Sequence, residues 1–139
     1  MEIKVLEKVA EFFEEKDEVD LAYLFGSTSR GDKGKLGDFD LGVLLREPLE
    51  EHGMLQFQLK LLDDLVSLLK ADKVDLIIMN DAPLSLNYNI IKEGILLKDD
   101  EEKRIKFEKN IMSEYLDRKY YMDRHARIAI NGIARQGLI

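Results

Sequence analysis

The stretch that decides the fold is residues 21–45, which read LAYLFGSTSRGDKGKLGDFDLGVLL. Its first five residues are apolar and rich in strand formers, and they end at Gly26 and Ser27, where the backbone can turn sharply. Ser27 is a good N-cap residue, so a short helix beginning there would present free N–H groups and the positive end of its dipole. A helix start of this kind favours phosphate. The pattern therefore predicts a strand followed by a phosphate-binding turn.

Two further residues of this turn suit the same ligand. Arg30 carries a planar cation that matches phosphate oxygens, and Gly31 lets the chain leave without a side chain in the way. We expect these two residues, together with Gly26 and Ser27, to bind the phosphates of a nucleotide. In isolation, a G-S…R-G segment is most often only a polar loop. The interpretation therefore depends on the carboxylates that follow.

A pair of aspartates follows the turn. Asp38 and Asp40 open residues 38–45, whose other side chains are mostly apolar, as in a buried strand. Residues i and i+2 of a strand share a face, so the two carboxylates would lie side by side and repel each other unless they share a cation. Mg²⁺ favours carboxylate oxygens together with substrate phosphates. The pair therefore predicts a magnesium site.

A third acidic residue interrupts another apolar run. Asp75 lies near the start of residues 73–79, KVDLIIM, which predict a strand. Two metal ions can stabilise the attacking and leaving oxygens of an in-line displacement, and a further carboxylate would help to hold them. We expect Asp75 to be that third metal ligand. The alternative is an acid that faces water at the start of a strand, and the sequence leaves both interpretations open.

The arrangement of these residues resembles a known family. A G-S-x-x-R-G motif beginning at Gly26, a variable loop, a D-x-D-L motif beginning at Asp38 and the later Asp75 are similar to the minimal nucleotidyltransferases of the DNA polymerase beta superfamily. The resemblance covers residues 1–100 well and the remainder loosely. Where the family usually has serine before the first aspartate, this chain has Gly37. That difference removes no ligand.

The resemblance implies a reaction and a role for each position. The turn would contact the phosphates of ATP or another NTP, with Arg30 at the triphosphate or at the acceptor. Asp38 and Asp40 would hold Mg²⁺, as a pair of ions. Asp75 would be the third carboxylate, which in the superfamily can assist deprotonation of an acceptor hydroxyl. These three aspartates are thus the expected catalytic residues, and a nucleoside monophosphate would be transferred with release of pyrophosphate.

The resemblance also implies a partner. Members of this family are often the antitoxin halves of toxin–antitoxin pairs with HEPN-domain toxins, and in that branch a tyrosine of the toxin would be adenylylated. One alternative is a non-catalytic module that neutralises its partner by contact alone. A small-molecule nucleotidyltransferase is another, disfavoured because 139 residues leave no room for a substrate domain. The acceptor would therefore be small or presented by a partner.

Length and composition fit a small cytoplasmic enzyme. The length predicts one domain, residues 1–139, with a core at 1–100 and a C-terminal helix at 101–139. The chain has no cysteine, which excludes a disulfide framework, a thiolate nucleophile and a cysteine-based zinc site. No apolar run is long enough to cross a membrane, and the first residues lack a signal-peptide profile.

Charge is distributed unevenly around a formal net value of −7. Residues 1–102 carry 12 basic and 24 acidic side chains, a net of −12, whereas residues 103–139 carry 9 and 4, a net of +5. General binding to nucleic acid depends on lysine and arginine that neutralise phosphates, so the acidic body argues against it.

Hydrophobic periodicity predicts an α/β (α+β) fold with a small mixed sheet of about four strands, flanked by helices and followed by a long C-terminal helix. Helices are expected at 3–15, from 48, at 84–93 and from about 100 to 135, and strands at 21–25, 39–45, 74–79 and 95–98. A break is expected at Gly132. The packing register of the second helix is expected to be carried by Leu55, Leu59, Leu62, Leu65, Val66 and Leu69.

The C-terminal helix is the expected partner surface. Its apolar residues Ile105, Met112, Leu116 and Met122 are expected to pack on the body, which would leave an aromatic and basic stripe exposed. That stripe consists of Tyr115, Arg118, Tyr120, Tyr121 and Arg124. Because aromatic and arginine side chains anchor many interfaces, a HEPN toxin or a second copy of this chain would dock here. The alternative is an ordinary solvated helix face.

Overall fold

The described part of the chain forms four helices and four strands in the predicted order. The computed structural model describes residues 3–26, 38–47, 49–70 and 73–135. The helices are α1 (Ile3–Glu14), α2 (Glu51–Leu69), α3 (Leu84–Glu93) and α4 (Glu101–Arg135), and the strands are β1 (Val19–Phe25), β2 (Asp38–Leu45), β3 (Lys73–Ile78) and β4 (Ile95–Lys98). The predicted bounds of α3 and β4 are confirmed. None of the helices in these ranges combines the length and apolarity needed to cross a membrane.

The strands form one mixed sheet with the order β3-β2-β1-β4. Strand β1 is antiparallel to both β2 and β4, whereas β2 and β3 are parallel. Because β1 runs against β2 while β3 runs with it, the end of β1 and the starts of β2 and β3 meet at the same end of the sheet. Gly26, Asp40 and Asp75 lie at this end, as does the backbone of Asp38.

One face of the sheet is covered by α1 and α2. Residues that alternate along each strand point to the same face, and those of β2 and β3 on this face are apolar. They pack against Val9 and Phe13 of α1 and against Leu61 and Leu65 of α2, all of them buried. The strand residues in this cluster include Leu24, Phe39, Leu41, Val43, Val74 and Leu76. This layer is the larger part of the hydrophobic core.

The opposite face is covered by α3 and α4. Ile90 of α3 is fully buried there, with Phe107 of α4 packed beside it. Gly42 of β2 allows the close approach of α3, because a Cβ at this position would lie 3.3 Å from two carbon atoms of Ile90. This second layer occupies the part of the face on which Leu44 and Ile77 lie.

The predicted packing face of α4 is wrong. Phe107 and Ile111 face the body, whereas the four residues expected to do so have exposed fractions of 47% to 70%. Those four are Ile105, Met112, Leu116 and Met122. The helix has apolar residues on more than one face, so their spacing alone does not show which face packs inward. The expected break is also wrong, since α4 continues through Gly132 to Arg135.

The predicted register of α2 is wrong in part. Leu61 and Leu65 are its buried residues, and Leu62 and Leu69 are partly buried against the same cluster. Three of the expected packing residues are exposed instead: Leu55, Leu59 and Val66. On α2 too, apolar side chains lie on more than the inward face, and packing against the sheet determines which of them are buried.

A buried carboxylate attaches the start of α4 to the sheet. Asp20 of β1 is 4% exposed, and its Oδ2 accepts a hydrogen bond of 2.8 Å from Lys103 Nζ. Its other oxygen accepts one of 3.3 Å from Arg46 Nε, just beyond β2. A buried charge requires such partners, and here they come from two different elements. Asp20 therefore connects β1, the end of β2 and α4.

Candidate active site

Three predicted site residues lie at one end of the sheet because of the strand directions. Gly26 directly follows β1. Asp40 is the third residue of β2, and Asp75 is the third residue of β3. In the antiparallel pairing, the Cα of Asp40 is opposite that of Phe25, which precedes Gly26. The fold therefore brings together residues that are far apart in the sequence.

Gly26 and Asp40 are in close contact. Gly26 has a φ of 80°, a backbone conformation that favours glycine. A Cβ built on Gly26 would overlap the Oδ2 atom of Asp40, so no other residue fits without displacing that carboxylate. The strand end is thus shaped around the Asp40 side chain, which is partly buried.

Asp40 and Asp75 are directly opposite each other on neighbouring parallel strands. Their Cα atoms are paired in the register of β2 and β3. Adjacent strands lie roughly 4.8 Å apart and paired residues share a face, so the two carboxylates project from the same face. Two like charges at this separation repel, which favours a cation near them. The predicted proximity of these two residues is confirmed.

Lys73 supplies part of the compensating charge. Its Nζ lies 3.7 Å from Asp75 Oδ2, but the two side chains are 64% and 50% exposed. An ion pair this accessible to water contributes little stability. Asp75 therefore remains accessible from solvent, whereas Ile77, two residues further along the same face, is packed under the helices. The packing of this face ends between these two residues.

Several predicted residues lie outside the described part of the chain. These are Ser27, Arg30, Gly31 and the side chain of Asp38. The backbone of Asp38 is described, and it begins β2 with its Cα opposite that of Lys73. Their roles in binding remain predictions.

Within the described ranges, no three histidine, cysteine or acidic side chains converge to hold a metal ion. Two of the three predicted ligands, Asp40 and Asp75, do lie next to each other there. Their oxygen donors suit Mg²⁺, which needs only one or two protein carboxylates when phosphates complete its coordination. The described part of the donor set therefore fits this ion.

Comparison with known families identifies this arrangement. The model of the family described as "Polymerase beta, Nucleotidyltransferase" matches residues 7–103, which include every predicted catalytic and nucleotide-binding residue. The chain belongs to this nucleotidyltransferase family. No curated protein matches the chain.

Solved structures with the same fold include toxin–antitoxin complexes. One, a toxin–antitoxin crystal structure with AMP-PNP, has 26% identity and a TM-score of 0.68 over 88% of this chain and 94% of that one. Another is the tri-AMPylated HEPN toxin of Shewanella oneidensis in complex with its MNT antitoxin, with 25% identity and a TM-score of 0.60 over 88% and 95%. A MntA–HepT structure at 22% identity, with a TM-score of 0.65 over 91% and 96%, shares the fold.

A buried tyrosine lies in β1, two residues before Phe25, whose Cα is opposite that of Asp40. Tyr23 of β1 is 2% exposed, and its hydroxyl donates a hydrogen bond of 2.9 Å to Glu108 Oε1 of α4. Burial, followed by this bond to a carboxylate, raises the pKa of Tyr23 far above that of a free tyrosine. Nearby on α4, Arg104 Nε donates a hydrogen bond of 2.8 Å to Asp99 Oδ1. The Tyr23 hydroxyl thus helps to hold α4 against the sheet.

Neither polar contact beneath α4, that of Asp20 or that of Tyr23, was predicted from the sequence. For Asp20, a signal was present, because a charged residue interrupts the apolar run of β1. For Tyr23 there was no such signal, since tyrosine is an ordinary strand residue and its partner Glu108 is 85 positions away in the sequence. Both groups are structural and lie outside the candidate site.

The expected partner surface on α4 is divided between two environments. Tyr120 and Tyr121 are exposed, as is Arg124. Tyr115 differs, because its ring stacks on Tyr88 of α3 with centroids 3.7 Å apart, which leaves it only partly exposed. Arg118 lines a cavity of about 360 Å³ at the start of α3, far along the sheet from Asp40. The exposed part of the predicted stripe is therefore the half of α4 beyond Tyr115.

Proposed function

We propose that the chain is an Mg²⁺-dependent nucleotidyltransferase that transfers AMP from ATP to a tyrosine hydroxyl of a HEPN-domain partner, and so acts as its antitoxin. The observation that carries the proposal is the register of Asp40 with Asp75 beside Gly26, in a chain of the polymerase beta nucleotidyltransferase family. A close pair of carboxylates beside Gly26, one of them half exposed to solvent, suits nucleotide transfer better than a purely structural role.

The three aspartates have distinct parts in this proposal. Asp40 and Asp75, with Asp38, would hold Mg²⁺, which when bound offsets negative charge on the triphosphate. Gly26 keeps the backbone against Asp40, so its carboxylate is held in one orientation before a nucleotide binds. Such preorganisation lowers the cost of reaching the transition state. Ser27, Arg30 and Gly31 would bind the phosphates.

Asp75 is suited to a second task. It is half exposed, so a hydroxyl presented by another molecule can reach it. As the acceptor oxygen attacks the α-phosphorus of ATP, its proton must leave, and a carboxylate at this position can accept it. The α–β phosphoanhydride bond then breaks and pyrophosphate departs. The exposed side of α4 that carries Arg118, Tyr121 and Arg124 is the proposed docking surface for the acceptor protein.

The nature of the acceptor rests on the solved relatives. A structure at 25% identity contains a HEPN toxin that carries AMP groups and is bound to an MNT antitoxin. A structure at 26% identity contains the ATP analogue AMP-PNP. Both support ATP as donor and a HEPN toxin as acceptor.

The test is transfer of label from ATP labelled at the α-phosphate to a co-purified HEPN partner. We expect wild-type protein to label the partner only with Mg²⁺, and Asp40→Asn to lower the rate at least about 100-fold, because it removes an anionic ligand. The matched control is Asp63→Asn, which removes an exposed carboxylate of α2 outside the site. Equal rates for Asp40→Asn and wild type would contradict the proposal.

A second candidate function is neutralisation by contact alone. It is favoured by the exposure of residues 116–131 of α4, which include four exposed aromatic or basic residues of the predicted stripe. If contact suffices, Asp40→Asn will neutralise the toxin in growing cells as well as wild type does. Under the catalytic proposal, the same variant fails to restore growth while it still binds the toxin.

A further inference from the structure

The outward face of α4 carries a seam of exposed apolar residues interspersed with charged ones, and nothing covers it in the described part of the chain. Five large side chains on this face are between 47% and 61% exposed: Ile105, Met112, Leu116, Tyr120 and Ile130. Exposed apolar area of this extent on a helix is typical of an interaction surface. The inward face of α4 is a different one, formed by Phe107, Ile111 and Tyr115.

Helix geometry shows that the seam is a single straight stripe. At about 100° per residue, its positions fall within a sector of about 80°. In order, the seam consists of Glu102, Ile105, Lys109, Met112, Leu116, Tyr120, Asp123, Arg127 and Ile130. Successive members are separated by three or four residues, as in the seam of a coiled coil. The stripe is about 42 Å long, at 1.5 Å per residue.

Two copies of the seam are complementary to each other when they run in opposite directions. The spacings are symmetric about Leu116, so an antiparallel copy brings each member opposite another member. Lys109 then faces Asp123 of the other copy, and Met112 faces Tyr120. A parallel copy would instead place Lys109 against Lys109 and Asp123 against Asp123, which is repulsive.

We propose that this seam binds the same seam of a second copy of the chain, antiparallel, with Leu116 on the two-fold axis. A two-fold interface of this kind uses one patch twice, so every contact away from the axis occurs in two copies. The central contacts are apolar, and the two Lys109–Asp123 ion pairs set the direction and register. Arg127 lies over Ile105 of the other copy with its aliphatic stem.

The monomer leaves these charges available for the dimer. Lys109, Asp123 and Arg127 are exposed, and among the described residues none of them forms an ion pair within 4.0 Å. Phe107 and Ile111 attach α4 to the body on a side away from most of the seam, although Asp123 also borders the cavity at the start of α3. Arg118 and Tyr121 point away from the seam and stay open to a different partner.

The proposal is independent of the transferase activity. None of the predicted catalytic or nucleotide-binding residues belongs to the seam, and the candidate site lies on the sheet. The seam shares only Tyr120 with the predicted partner surface. Loss of nucleotide transfer would therefore not affect this inference, and loss of the dimer would not affect the assignment of the site.

Sedimentation of the full chain tests the dimer. We expect a mass twice the 16.1 kDa of one chain for wild-type protein. Lys109→Glu alone and Asp123→Lys alone each place like charges together at two points, so each should weaken dimerisation at least about tenfold. The double variant Lys109→Glu/Asp123→Lys exchanges the charges and should restore the wild-type dimer. These positions are exposed, so the monomer fold is retained, as circular dichroism will show.

The controls distinguish binding of a second copy of the chain from binding of a different protein at the seam. Lys60→Glu reverses an exposed charge on α2, away from the seam, and should leave the mass unchanged. Wild-type protein that stays at the mass of one chain at every concentration would overturn the proposal and assign the seam to a different protein. A double variant that remains as weakened as the single ones would overturn it as well, because only a contact between identical chains is repaired by exchange within one chain.

Discussion

At Gly26, the positive φ and the contact with Asp40 have a common cause. The backbone must reverse after β1 while the carboxylate from the neighbouring strand occupies the space where a side chain would be. Only glycine meets both conditions at no steric cost. The same position thus terminates the strand and sets the orientation of a candidate ligand.

We predict that Gly26→Ala impairs both folding and nucleotide binding. The left-handed backbone costs a residue with a Cβ about 1–2 kcal/mol, and the new methyl group displaces the Asp40 carboxylate. Urea unfolding and titration with AMP-PNP and Mg²⁺ measure the two effects. The matched control is Gly132→Ala in α4, where nothing lies within 4 Å and the substitution should stabilise by at most about 1 kcal/mol. Unchanged affinity in Gly26→Ala would contradict this account of the site.

Tyr23 leads to a prediction about pH. Its pKa is raised in the folded protein by burial and by the hydrogen bond to Glu108, so above pH 10 the unfolded chain loses this proton while the folded one keeps it. Its contribution to stability is therefore present below pH 10 and declines above it, by up to about 1.4 kcal/mol per pH unit.

The difference in unfolding free energy between wild type and Tyr23→Phe isolates this effect. At neutral pH the variant should be less stable by about 1 kcal/mol, since it loses one hydrogen bond. Above pH 10, this difference in unfolding free energy should narrow and then change sign. Tyr121→Phe, at an exposed tyrosine, serves as control and should follow the wild-type curve. A gap that is constant with pH would contradict the assigned role of Tyr23.

At the scale of elements, α4 depends on polar contacts near its start and on packing near its middle. Lys103 is bound to Asp20, Glu108 to Tyr23, and the Tyr115 ring to Tyr88. Beyond Tyr115 the helix extends without contact to the rest of the described chain, apart from the side of the cavity at the start of α3. One end of α4 is therefore structural and the other is available for binding.

We predict that Asp20→Asn loosens α4 and lowers the free energy of unfolding by about 2 kcal/mol, because two hydrogen bonds to a charged group are weakened at a buried position. Urea unfolding measures the change. Asp17→Asn, three residues earlier and exposed, is the control and should have almost no effect. Equal stability of the two variants would show that the contacts of Asp20 do not hold the helix.

The bounds of some elements were predictable because local signals mark them. Pro83 precedes α3 and Gly94 separates it from β4, and both elements have the bounds that the sequence predicts. The inward face of α4 was not predictable, since its apolar residues lie on two faces and the choice depends on the sheet beneath. Gly132 did not end α4, because one glycine costs a helix only about 1 kcal/mol.

At the scale of the whole molecule, the strand directions create the candidate site. The sequence shows two neighbouring aspartates and a distant third, and a predicted strand around Asp75 suggests nearness without giving the register. That register is set by the parallel pairing of β2 with β3, a long-range contact with no local signal. Three of the four predicted phosphate-binding residues, Ser27, Arg30 and Gly31, lie outside the described ranges, and their role is predicted from the sequence pattern alone.

Titration calorimetry of the purified chain with AMP-PNP tests the central claim, a nucleotide site built on Asp40 and Asp75. We predict saturable binding that requires Mg²⁺, with affinity lowered at least about tenfold in Asp40→Asn and in Asp75→Asn but not in Asp63→Asn. Binding of equal strength in the presence of a chelator, or equal affinity in all three variants, would contradict the claim that these two carboxylates form the site.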